Sequence, residues 1–328
     1  MTLPILRRAA IQAGAAGLLG AVGARASRAS DIAWPSQAIR LVVPYTPGGS
    51  NDAVARPIAE KLQDVFGRTV VVENRPGATG AIGAAVVANA PADGHTLLLA
   101  SSSFATASTM RRTTFDAIES FDPVASICDA PMLVVTKPGG FTDIRALVAF
   151  AKANPGRLQY GMAGMGGIGY FTQELFNRTA ELRMEAIPYS GIGPASIDLV
   201  AGRIDFLMTT LASVRGLVEA GTVKVIAVSS PTRAPAMPDV PTIKEVLGVD
   251  FGVNVWWGIL APRGIPAGVR ERLNVEITRA AASDSYTRFL AADGAKPAPS
   301  SVAEFSQMVR EDILRWRHLA NEVGIQAN

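Results

Sequence analysis

The stretch Ile39–Asp52, which reads IRLVVPYTPGGSND, decides the fold. Its first half is a short run of β-branched and leucine residues, which is typical of a buried strand. A Gly-rich turn follows, and then Val54, Ile58 and Leu62 recur every four residues, as on one face of a helix. Pro57 lies inside this pattern and either kinks the helix or moves its start later. Strand, Gly-rich loop and helix in this order predict the first unit of a parallel α/β sheet.

The elements next in the chain continue the same alternation. Thr69–Arg75 and Thr96–Ser102 are further short strands bounded by Gly, Pro or Asp turn residues. The Ala- and Val-rich stretch Gly80–Ala90 lies between them and predicts a second helix. The resulting β-α-β-α-β order predicts a parallel sheet with helices on both faces.

A second set of elements predicts a second doubly wound unit rather than a continuation of the first. Strands are expected at Met132–Thr136, Leu158–Ala163, Met184–Tyr189, Phe206–Leu211 and Lys224–Ser229. Helices are expected at Asp143–Ala153 with Thr142 as N-cap, at Tyr170–Asn177 and at Ala195–Ala201. After the Pro-rich loop Pro231–Pro241 and the apolar run Trp256–Ala261, Pro266 and the capping box Ser301-x-x-Glu304 open two closing helices.

Residues 1–26 have the features of an export signal. Arg7 and Arg8 form a positive start, an uncharged apolar run follows, and Ala24-Arg25-Ala26 matches an A-x-A cleavage site. The alternative is a membrane anchor, but about 15 apolar residues are fewer than the roughly 20 that span a bilayer. The paired arginines suggest the twin-arginine route, although the residues after them match that consensus poorly. We expect a cleaved signal and a periplasmic protein.

Composition excludes several classes of function. The chain of 328 residues is 48% hydrophobic and 18% charged, so it can bury a core and is not disordered as a whole. The formal net charge is +3, which the leader's three arginines account for, so nothing points to nucleic acid or a membrane surface as partner. One cysteine and two histidines leave no disulfide framework and little material for a metal site.

Two Gly-rich loops, each between a predicted strand and a predicted helix, are the candidate ligand site. In doubly wound sheets ligands bind outside the carboxyl ends of strands, and the helix that follows offers free N–H groups and a partial positive charge. Enough converging N–H donors can hold a carboxylate without lysine or arginine. The candidate residues are Tyr45, Thr46, Pro47, Gly48, Gly49, Ser50 and Asn51 in the first loop, and Met162, Ala163, Gly164, Met165, Gly166 and Gly167 in the second.

Asp205 is a further candidate, because it lies at the edge of a predicted strand. Its carboxylate could accept a hydrogen bond from an amine or hydroxyl of a ligand, or could simply pair with Arg203. Among the apolar residues, Trp256 and Trp257 are adjacent and point to opposite faces of a strand. One could line the cleft while the other packs in the core, but burial of both in the core is the simpler interpretation.

Motifs of other functions are weak or absent. Gly164–Gly169 fits the dinucleotide pattern G-x-G-x-x-G, but the next strand ends in Pro188-Tyr189-Ser190 and offers no acid for the ribose. The sequence has no G-x-S-x-G, H-E-x-x-H or P-loop motif. The residues therefore favour a binding protein over an enzyme, with neither cofactor nor metal expected.

Taken together, these segments resemble one known family from about Trp34 to Ile325. The matching stretches include PGGSND at Pro47–Asp52, VVVENRPG at Val70–Gly77, ADGHTLL at Ala92–Leu98, PDVPT at Pro238–Thr242 and GILAP at Gly258–Pro262. The chain is similar to the exported solute receptors of tripartite tricarboxylate transporters, called Bug proteins in Bordetella.

The resemblance implies a type II periplasmic-binding-protein fold, in which two α/β lobes close on a ligand. We expect residues 31–128 together with 251–328 to form lobe 1 and residues 129–250 to form lobe 2. Typical ligands of the family are small carboxylates, held between the two Gly-rich loops by backbone groups and bridging waters. The implied partners are the membrane subunits of the transporter, and a monomer is expected.

The second loop departs from the family pattern in a way that bears on the ligand. Met162 and Met165 replace polar positions, and Gly167–Gly169 replaces a serine-rich stretch. The loop keeps its N–H donors but loses hydroxyl groups, so we expect a more apolar pocket. The expected ligand is an aromatic or aliphatic monocarboxylate, or a dicarboxylate with an apolar middle, rather than citrate. The alternatives are a sensing module for a membrane signalling partner and, against the absent catalytic motifs, an exported enzyme.

Overall fold

The structure is a computed structural model that describes residues 34–110 and 113–325. The predicted export signal, residues 1–26, lies outside the described residues. Residues 34–36 belong to an N-terminal unit of their own, and all the elements that follow lie in the unit that starts at Gln37.

The strands and helices alternate along most of the chain. The strands are β1 (Ile39–Val43), β2 (Val70–Asn74), β3 (Thr96–Ser101), β4 (Phe121–Pro131), β5 (Leu133–Thr136), β6 (Gln159–Ala163), β7 (Glu185–Tyr189), β8 (Phe206–Thr209), β9 (Lys224–Val228), β10 (Asn254–Pro262) and β11 (Lys296–Pro297). The helices are α1 (Ser50–Phe66), α2 (Ala81–Ala88), α3 (Ser102–Met110), α4 (Ile144–Ala153), α5 (Ile168–Thr179), α6 (Ile192–Val200), α7 (Leu211–Glu219), α8 (Ile243–Leu247), α9 (Ala267–Ala281), α10 (Asp284–Ala292) and α11 (Val302–Glu322).

The strands form two mixed sheets of related order, one in each lobe. The first sheet runs β11-β4-β10-β3-β1-β2 and the second runs β7-β6-β8-β5-β9. In the first, β1 pairs in parallel with β2 and β3, as the β-α-β-α-β pattern predicts, while β10 lies antiparallel between β3 and β4. In the second, β6 pairs in parallel with β7 and β8, and β5 lies antiparallel between β8 and β9.

The inserted antiparallel strands follow from two chain crossings. The chain leaves the first sheet after β4 and enters the second at β5, and it returns after β9 to enter the first at β10. Sequence patterns show which segments are strands, but the position of β5 and β10 between distant partners is a tertiary feature. The two-lobed α/β architecture is therefore confirmed, with one antiparallel strand inserted in the parallel part of each sheet.

Each lobe has its own apolar core. Leu41 and Leu98 of the first sheet are almost completely buried, as are Leu133 and Leu207 of the second. Burying an aliphatic side chain of this size contributes roughly 1.5–3 kcal/mol. The strand pattern predicted from β-branched and leucine runs thus marks the two cores, which hold the loops at the strand ends in place.

Local predictions differ from the structure at several helix ends. Helix α1 continues through Pro57 from Ser50, so the proline does not delay the start of the helix. Asp143, not Thr142, caps α4, because its carboxylate accepts a 2.9 Å hydrogen bond from the Ala146 N–H. Leu211 opens α7 instead of ending β8.

Helix α3 was not predicted, since its sequence SSFATASTM is rich in serine and threonine. Those side chains bond back to helix carbonyls, as in the 2.7 Å bond from Ser108 Oγ to Ala105 O. The helix packs against α11 and β10, and Ala105 is fully buried. Tertiary packing therefore outweighs weak helix propensity here. Within residues 34–110 and 113–325, no helix is both long and apolar enough to cross a membrane.

Candidate functional site

A cavity of about 260 Å³ lies where the carboxyl ends of parallel strands from both sheets meet. Residues at or just after the carboxyl ends of β1, β3, β6 and β8 line it, and this is where ligands bind in open α/β sheets. Its lining consists of Tyr45, Ser50, Asn51, Thr79, Ser101, Ser103, Met132, Met162, Ala163, Gly167, Ile168, Gly169, Tyr170, Ile192, Met208, Thr209, Thr210, Val255 and Trp257. A larger groove of about 590 Å³ runs beside α11, away from both Gly-rich loops.

The structure brings part of each predicted loop to this cavity. Six of the predicted residues line it, namely Tyr45, Ser50, Asn51, Met162, Ala163 and Gly167. The others in the same loops are not in its lining: Thr46, Pro47, Gly48, Gly49, Gly164, Met165 and Gly166. Met165 is 57% exposed, so its side chain lies in solvent and not in the apolar wall that its type suggests.

Asp205 does not belong to this cavity. It precedes β8 and therefore lies at the amino end of that strand, opposite the edge where the cavity opens. Its carboxylate accepts hydrogen bonds of 2.7 Å from Lys137 Nζ and 2.9 Å from the Gln159 N–H. Arg203, the alternative partner expected from sequence, pairs instead with Asp198 at 2.7 Å. Asp205 thus ties β8 to its neighbouring strands.

The first loop is braced by a buried carboxylate. Asp52 is 4% exposed and accepts hydrogen bonds from the Gly48 N–H at 3.1 Å and from Asn74 Nδ2 at 3.0 Å. Arg56 pairs with the same carboxylate through two nitrogens, at 2.8 and 2.9 Å. Burial would raise the pKa of Asp52, but the hydrogen bonds from Arg56, Gly48 and Asn74 outweigh it and lower the pKa. Asp52 is therefore ionised and holds the loop closed on itself.

The second loop depends on backbone conformations that favour glycine. Gly164 and Gly166 have φ of 81° and 95°, in the left-handed region where a side chain is strained. Gly169 comes next to the apolar wall, because a Cβ there would lie 3.5 Å from Met132 Cε and 3.4 Å from Met208 O. The glycines of this loop thus set the turn and leave room between α5 and the methionines.

Five helices begin at the rim of the cavity. Residues in the first turns of α1, α3, α5 and α6, and the residue that caps α7, belong to its lining. The caps of α1, α5, α6 and α7 are Gly49, Gly167, Gly191 and Thr210, and none makes a side-chain cap hydrogen bond. First-turn N–H groups without a side-chain cap can meet a ligand, and each helix start carries a partial positive charge. The Ile168 N–H of α5 is an exception, because it lies 3.5 Å from Ser103 Oγ.

The cavity combines this positive field with a neutral wall. Among the described residues, no lysine, arginine, aspartate or glutamate lines it. Hydroxyl groups of Tyr45, Ser101 and Ser103 belong to the lining on the side of the first sheet. Burial raises the pKa of Tyr45 to about 12, although the Ser103 and Ser101 hydroxyls lower it in part. Tyr45 therefore stays a neutral phenol at physiological pH.

Three methionines contribute apolar side chains to the lining. Met132, Met162 and Met208 are each 3–4% exposed and belong to the lining. Their unbranched thioether chains adapt to irregular apolar groups. The cavity can therefore hold an anionic group near the helix starts and an apolar group against the methionines.

One contact crosses from one lobe to the other at this point. The N–H of Ile168, the first residue of α5, lies 3.5 Å from Ser103 Oγ, in α3. Both residues line the cavity. The described conformation therefore has the second loop against the first lobe.

Several lining residues were missed by the sequence reasoning. Ser101 and Thr209 are the last residues of β3 and β8, and Ser103 and Thr210 follow within two residues. The strand-end rule, applied to every predicted strand, could have found them. No comparable local signal marks Trp257, which lines the cavity because β10 pairs antiparallel with β3. Burial of both tryptophans in the core, the simpler interpretation, does not hold for Trp257. The structure matches the alternative, in which one tryptophan lines the cleft and the other packs in the core.

Known proteins resemble this chain over nearly its whole length. Residues 54–325 match the family described as tripartite tricarboxylate transporter family receptor. A UPF0065 protein in the tcbD-tcbE intergenic region of Pseudomonas sp. (strain P51) is 37% identical over 98% of this chain and 96% of its own. Protein BugT of Bordetella pertussis is 34% identical over 89% of this chain and 90% of its own.

Solved structures agree with these relatives. The structure of Rpa4515 from R. palustris with adipate has a TM-score of 0.81 and 34% identity, and the match covers 90% of this chain and all of that one. Both the fold and the resemblance inferred from PGGSND and VVVENRPG are thereby confirmed. The chain belongs to the family of tripartite tricarboxylate transporter receptors, which are periplasmic solute-binding proteins of two-lobed α/β fold and not enzymes.

Proposed function

We propose that this protein binds a small carboxylate with an apolar or aromatic body and delivers it, by lobe closure, to the membrane subunits of a tripartite tricarboxylate transporter. The observation that carries the proposal is the convergence of five helix N-termini on a cavity without a charged side chain. Such a field favours an anion, and uncapped N–H groups can hold a carboxylate directly. The lining residues of both Gly-rich loops would make these contacts.

The apolar wall supports an apolar ligand body. Met132, Met162 and Met208 would pack against methylene groups or an aromatic ring, and they offer no partner for a polar middle. Citrate carries a hydroxyl and a third carboxylate at its centre, so burying it here would leave polar groups unpaired. Adipate, bound in the related Rpa4515 structure, has four methylene groups between its carboxylates. It is the first dicarboxylate to test.

The size of the cavity also favours a small acid. About 260 Å³ is just below the roughly 300–1,000 Å³ typical of pockets for drug-sized ligands. A ligand that contacts both loops stabilises the closed state over the open one, which is the population shift expected of a two-lobed receptor. We place the lobe boundaries near residues 129 and 250, the first close to the end of β4 and the second in the segment between β9 and β10.

A thermal-shift panel tests the ligand class. Adipate, hexanoate, benzoate and citrate are each added to the protein, with sodium chloride as an ionic-strength control. A ligand at 100 times its Kd adds about 2.7 kcal/mol, which for a chain of this length is a Tm rise of a few degrees. We expect a rise with adipate, hexanoate or benzoate. Tight binding of citrate alone would contradict the apolar ligand class.

Localisation and delivery need separate experiments. We propose that residues 1–26 are removed on export, which fractionation and mass spectrometry of the mature N-terminus would test. Replacing both Arg7 and Arg8 with lysine keeps the positive charge but removes the arginine pair, so continued export would argue against the twin-arginine route.

We also propose that the protein is a monomer, which light scattering tests. Ligand-dependent uptake by cells with and without the membrane subunits tests delivery.

A further inference from the structure

The two adjacent tryptophans of β10 differ in what their indole N–H groups meet. Trp256 Nε1 donates a 2.8 Å hydrogen bond to Asp312 Oδ2. Trp257 Nε1 is buried and has no hydrogen-bond partner among the described residues. The Trp257 side chain is 4% exposed, so bulk solvent does not satisfy this donor either.

The unpaired donor lies on the cavity wall. Trp257 belongs to the lining and stands directly opposite Ser101 in the antiparallel register of β10 and β3. Directly opposed residues in a sheet point to the same face, so the indole and the Ser101 hydroxyl share one wall with Tyr45. A buried donor left without an acceptor is unfavourable, so an oxygen atom of a water or of a bound ligand is expected to meet it.

We propose that the Trp257 N–H donates a hydrogen bond to an oxygen of the bound ligand. This inference rests on the proposed function of the same cavity and specifies the chemistry of its ligand. The indole N–H can only donate, so the group that meets it must be an acceptor, such as a carboxylate, carbonyl or hydroxyl oxygen.

Asn51 is a weaker indicator of the same kind. Its Oδ1 is also buried without a partner at this cavity. An amide side chain, however, can turn over and present either its oxygen or its nitrogen to the ligand. Of these two residues, Trp257 fixes the direction of the hydrogen bond, and with it the type of ligand atom.

The proposal makes Trp257 a specificity residue. A ligand without an oxygen at this point would bury the indole N–H still unpaired, and would bind more weakly than one that supplies the oxygen. Adipate and hexanoate form a suitable pair of probes, because both have six carbons and hexanoate lacks one of the two carboxylates. If the second carboxylate is the acceptor, only adipate uses the bond. If the shared carboxylate is the acceptor, both acids use it.

The first experiment compares Trp257→Phe with Trp256→Phe by calorimetric titration with adipate and hexanoate. Phenylalanine keeps an aromatic ring and removes only the N–H donor and part of the indole. We expect Trp257→Phe to weaken adipate binding about tenfold, or about 1.4 kcal/mol. Trp256→Phe also removes an indole N–H from β10, but that N–H is bonded to Asp312 and does not face the cavity. It should change the affinity for adipate by less than about twofold. Unchanged adipate affinity in folded Trp257→Phe overturns the proposal.

A second measurement uses the unaltered protein, so it does not depend on whether a variant at the site folds. The four tryptophans give separate indole N–H signals in protein labelled with ¹⁵N-tryptophan. Saturating adipate should move the Trp257 proton downfield, as a new hydrogen bond requires, and leave that of Trp256 near its position. Binding by calorimetry with a stationary Trp257 signal overturns this inference and leaves the proposed function intact. Absence of binding for every acid in the panel overturns both.

Discussion

The side chains of Asp52 and Asn74 are joined by a 3.0 Å hydrogen bond from Asn74 Nδ2 to Asp52 Oδ1. The two residues come from two of the stretches that carry the family resemblance, PGGSND and VVVENRPG. Asn74 Nδ2 also donates a 3.0 Å bond to the carbonyl of Tyr45, where the first loop starts. The motifs thus meet in space to shape this loop, and neither residue lines the cavity.

This relationship predicts a binding defect caused from outside the site. Asn74→Ala removes both hydrogen bonds, one of them to an ionised carboxylate, and also the 3.5 Å bond that Asn74 Oδ1 accepts from Arg56. It should lower the free energy of unfolding by about 1.5–3 kcal/mol. Because the loop then loses its fixed position, we expect affinity for the carboxylate ligand to fall about tenfold, or about 1.4 kcal/mol. Calorimetric titration and urea unfolding measure the two effects.

Asn89→Ala is the matched control for this variant. Asn89 Nδ2 donates a 2.8 Å hydrogen bond to Ala85 O at the exposed end of α2, away from the first loop. Its removal should leave ligand affinity unchanged. Equal affinities for Asn74→Ala and the unaltered protein would mean that the brace does not position the loop.

Part of the site was predictable because it follows strand ends in the sequence. Tyr45 and Asn51 could be found, since a Gly-rich turn after a β-branched run indicates a ligand loop. Asp205 lies away from this cavity for a reason already present in the sequence: it precedes β8, so it lies at the amino end of that strand. A carboxyl-end criterion applied to every strand would have removed Asp205 and added Thr209.

The remainder depends on pairing between segments far apart in the chain. Trp257 reaches the cavity because β10 lies beside β3, which is more than 150 residues away in the chain. The same pairing brings the Trp256 N–H within 2.9 Å of Ser102 Oγ, 154 residues earlier in the sequence. Val255 is placed in the same way. Local periodicity gives the face of a strand but not its neighbour, so such residues can be assigned only from the folded structure.

Ser229 forms hydrogen bonds to both chain crossings between the lobes. We therefore expect the small substitution Ser229→Ala to cause a large loss of stability. Its buried hydroxyl accepts a 2.8 Å bond from the Met132 N–H and donates a 2.6 Å bond to Val253 O. Ser229→Ala leaves a buried N–H and a carbonyl unpaired, and should lower the free energy of unfolding by about 2–4 kcal/mol. Urea unfolding at neutral pH measures it.

Ser230→Ala is the comparison for that prediction. The Ser230 hydroxyl is also buried but donates only to Thr232 O, at 2.6 Å within its own loop. It should cost less, about 1 kcal/mol. Equal losses for the two variants would show that Ser229 does not hold the crossings together.

Asp312 predicts a pH dependence of stability. Burial raises its pKa from 3.8 to about 6, against the hydrogen bond from Trp256 and the charge of Arg315. Between these two values the folded protein binds a proton that the unfolded chain does not, so stability falls as pH rises from about 3.8 to about 6. Asp312→Asn keeps an acceptor for Trp256 and cannot titrate. We expect it to flatten this part of the profile and to be up to about 3 kcal/mol more stable at pH 7.

Urea unfolding at pH 4 and pH 7 provides the test. Asp250→Asn serves as control, because the Asp250 side chain is 98% exposed. This substitution should leave the slope of stability against pH unchanged. A difference between Asp312→Asn and the unaltered protein that is the same at both pH values would contradict a raised pKa. A larger advantage of the asparagine at pH 7 than at pH 4 is the expected sign.

Gly169 offers a direct probe of the apolar wall. An alanine Cβ there would lie 3.5 Å from Met132 Cε and 3.4 Å from Met208 O, a distance the fold tolerates but one that narrows the cavity. Gly268 is its match, since each glycine is the second residue of a helix and a Cβ at Gly268 meets open space. Both substitutions should stabilise their helix by roughly 0.5–1 kcal/mol.

Only Gly169→Ala should weaken binding of an acid that fills the site, by about fivefold or 1 kcal/mol. Titration of both variants with adipate and benzoate decides the matter, because equal affinities would mean that the ligand does not reach the wall between α5 and the methionines.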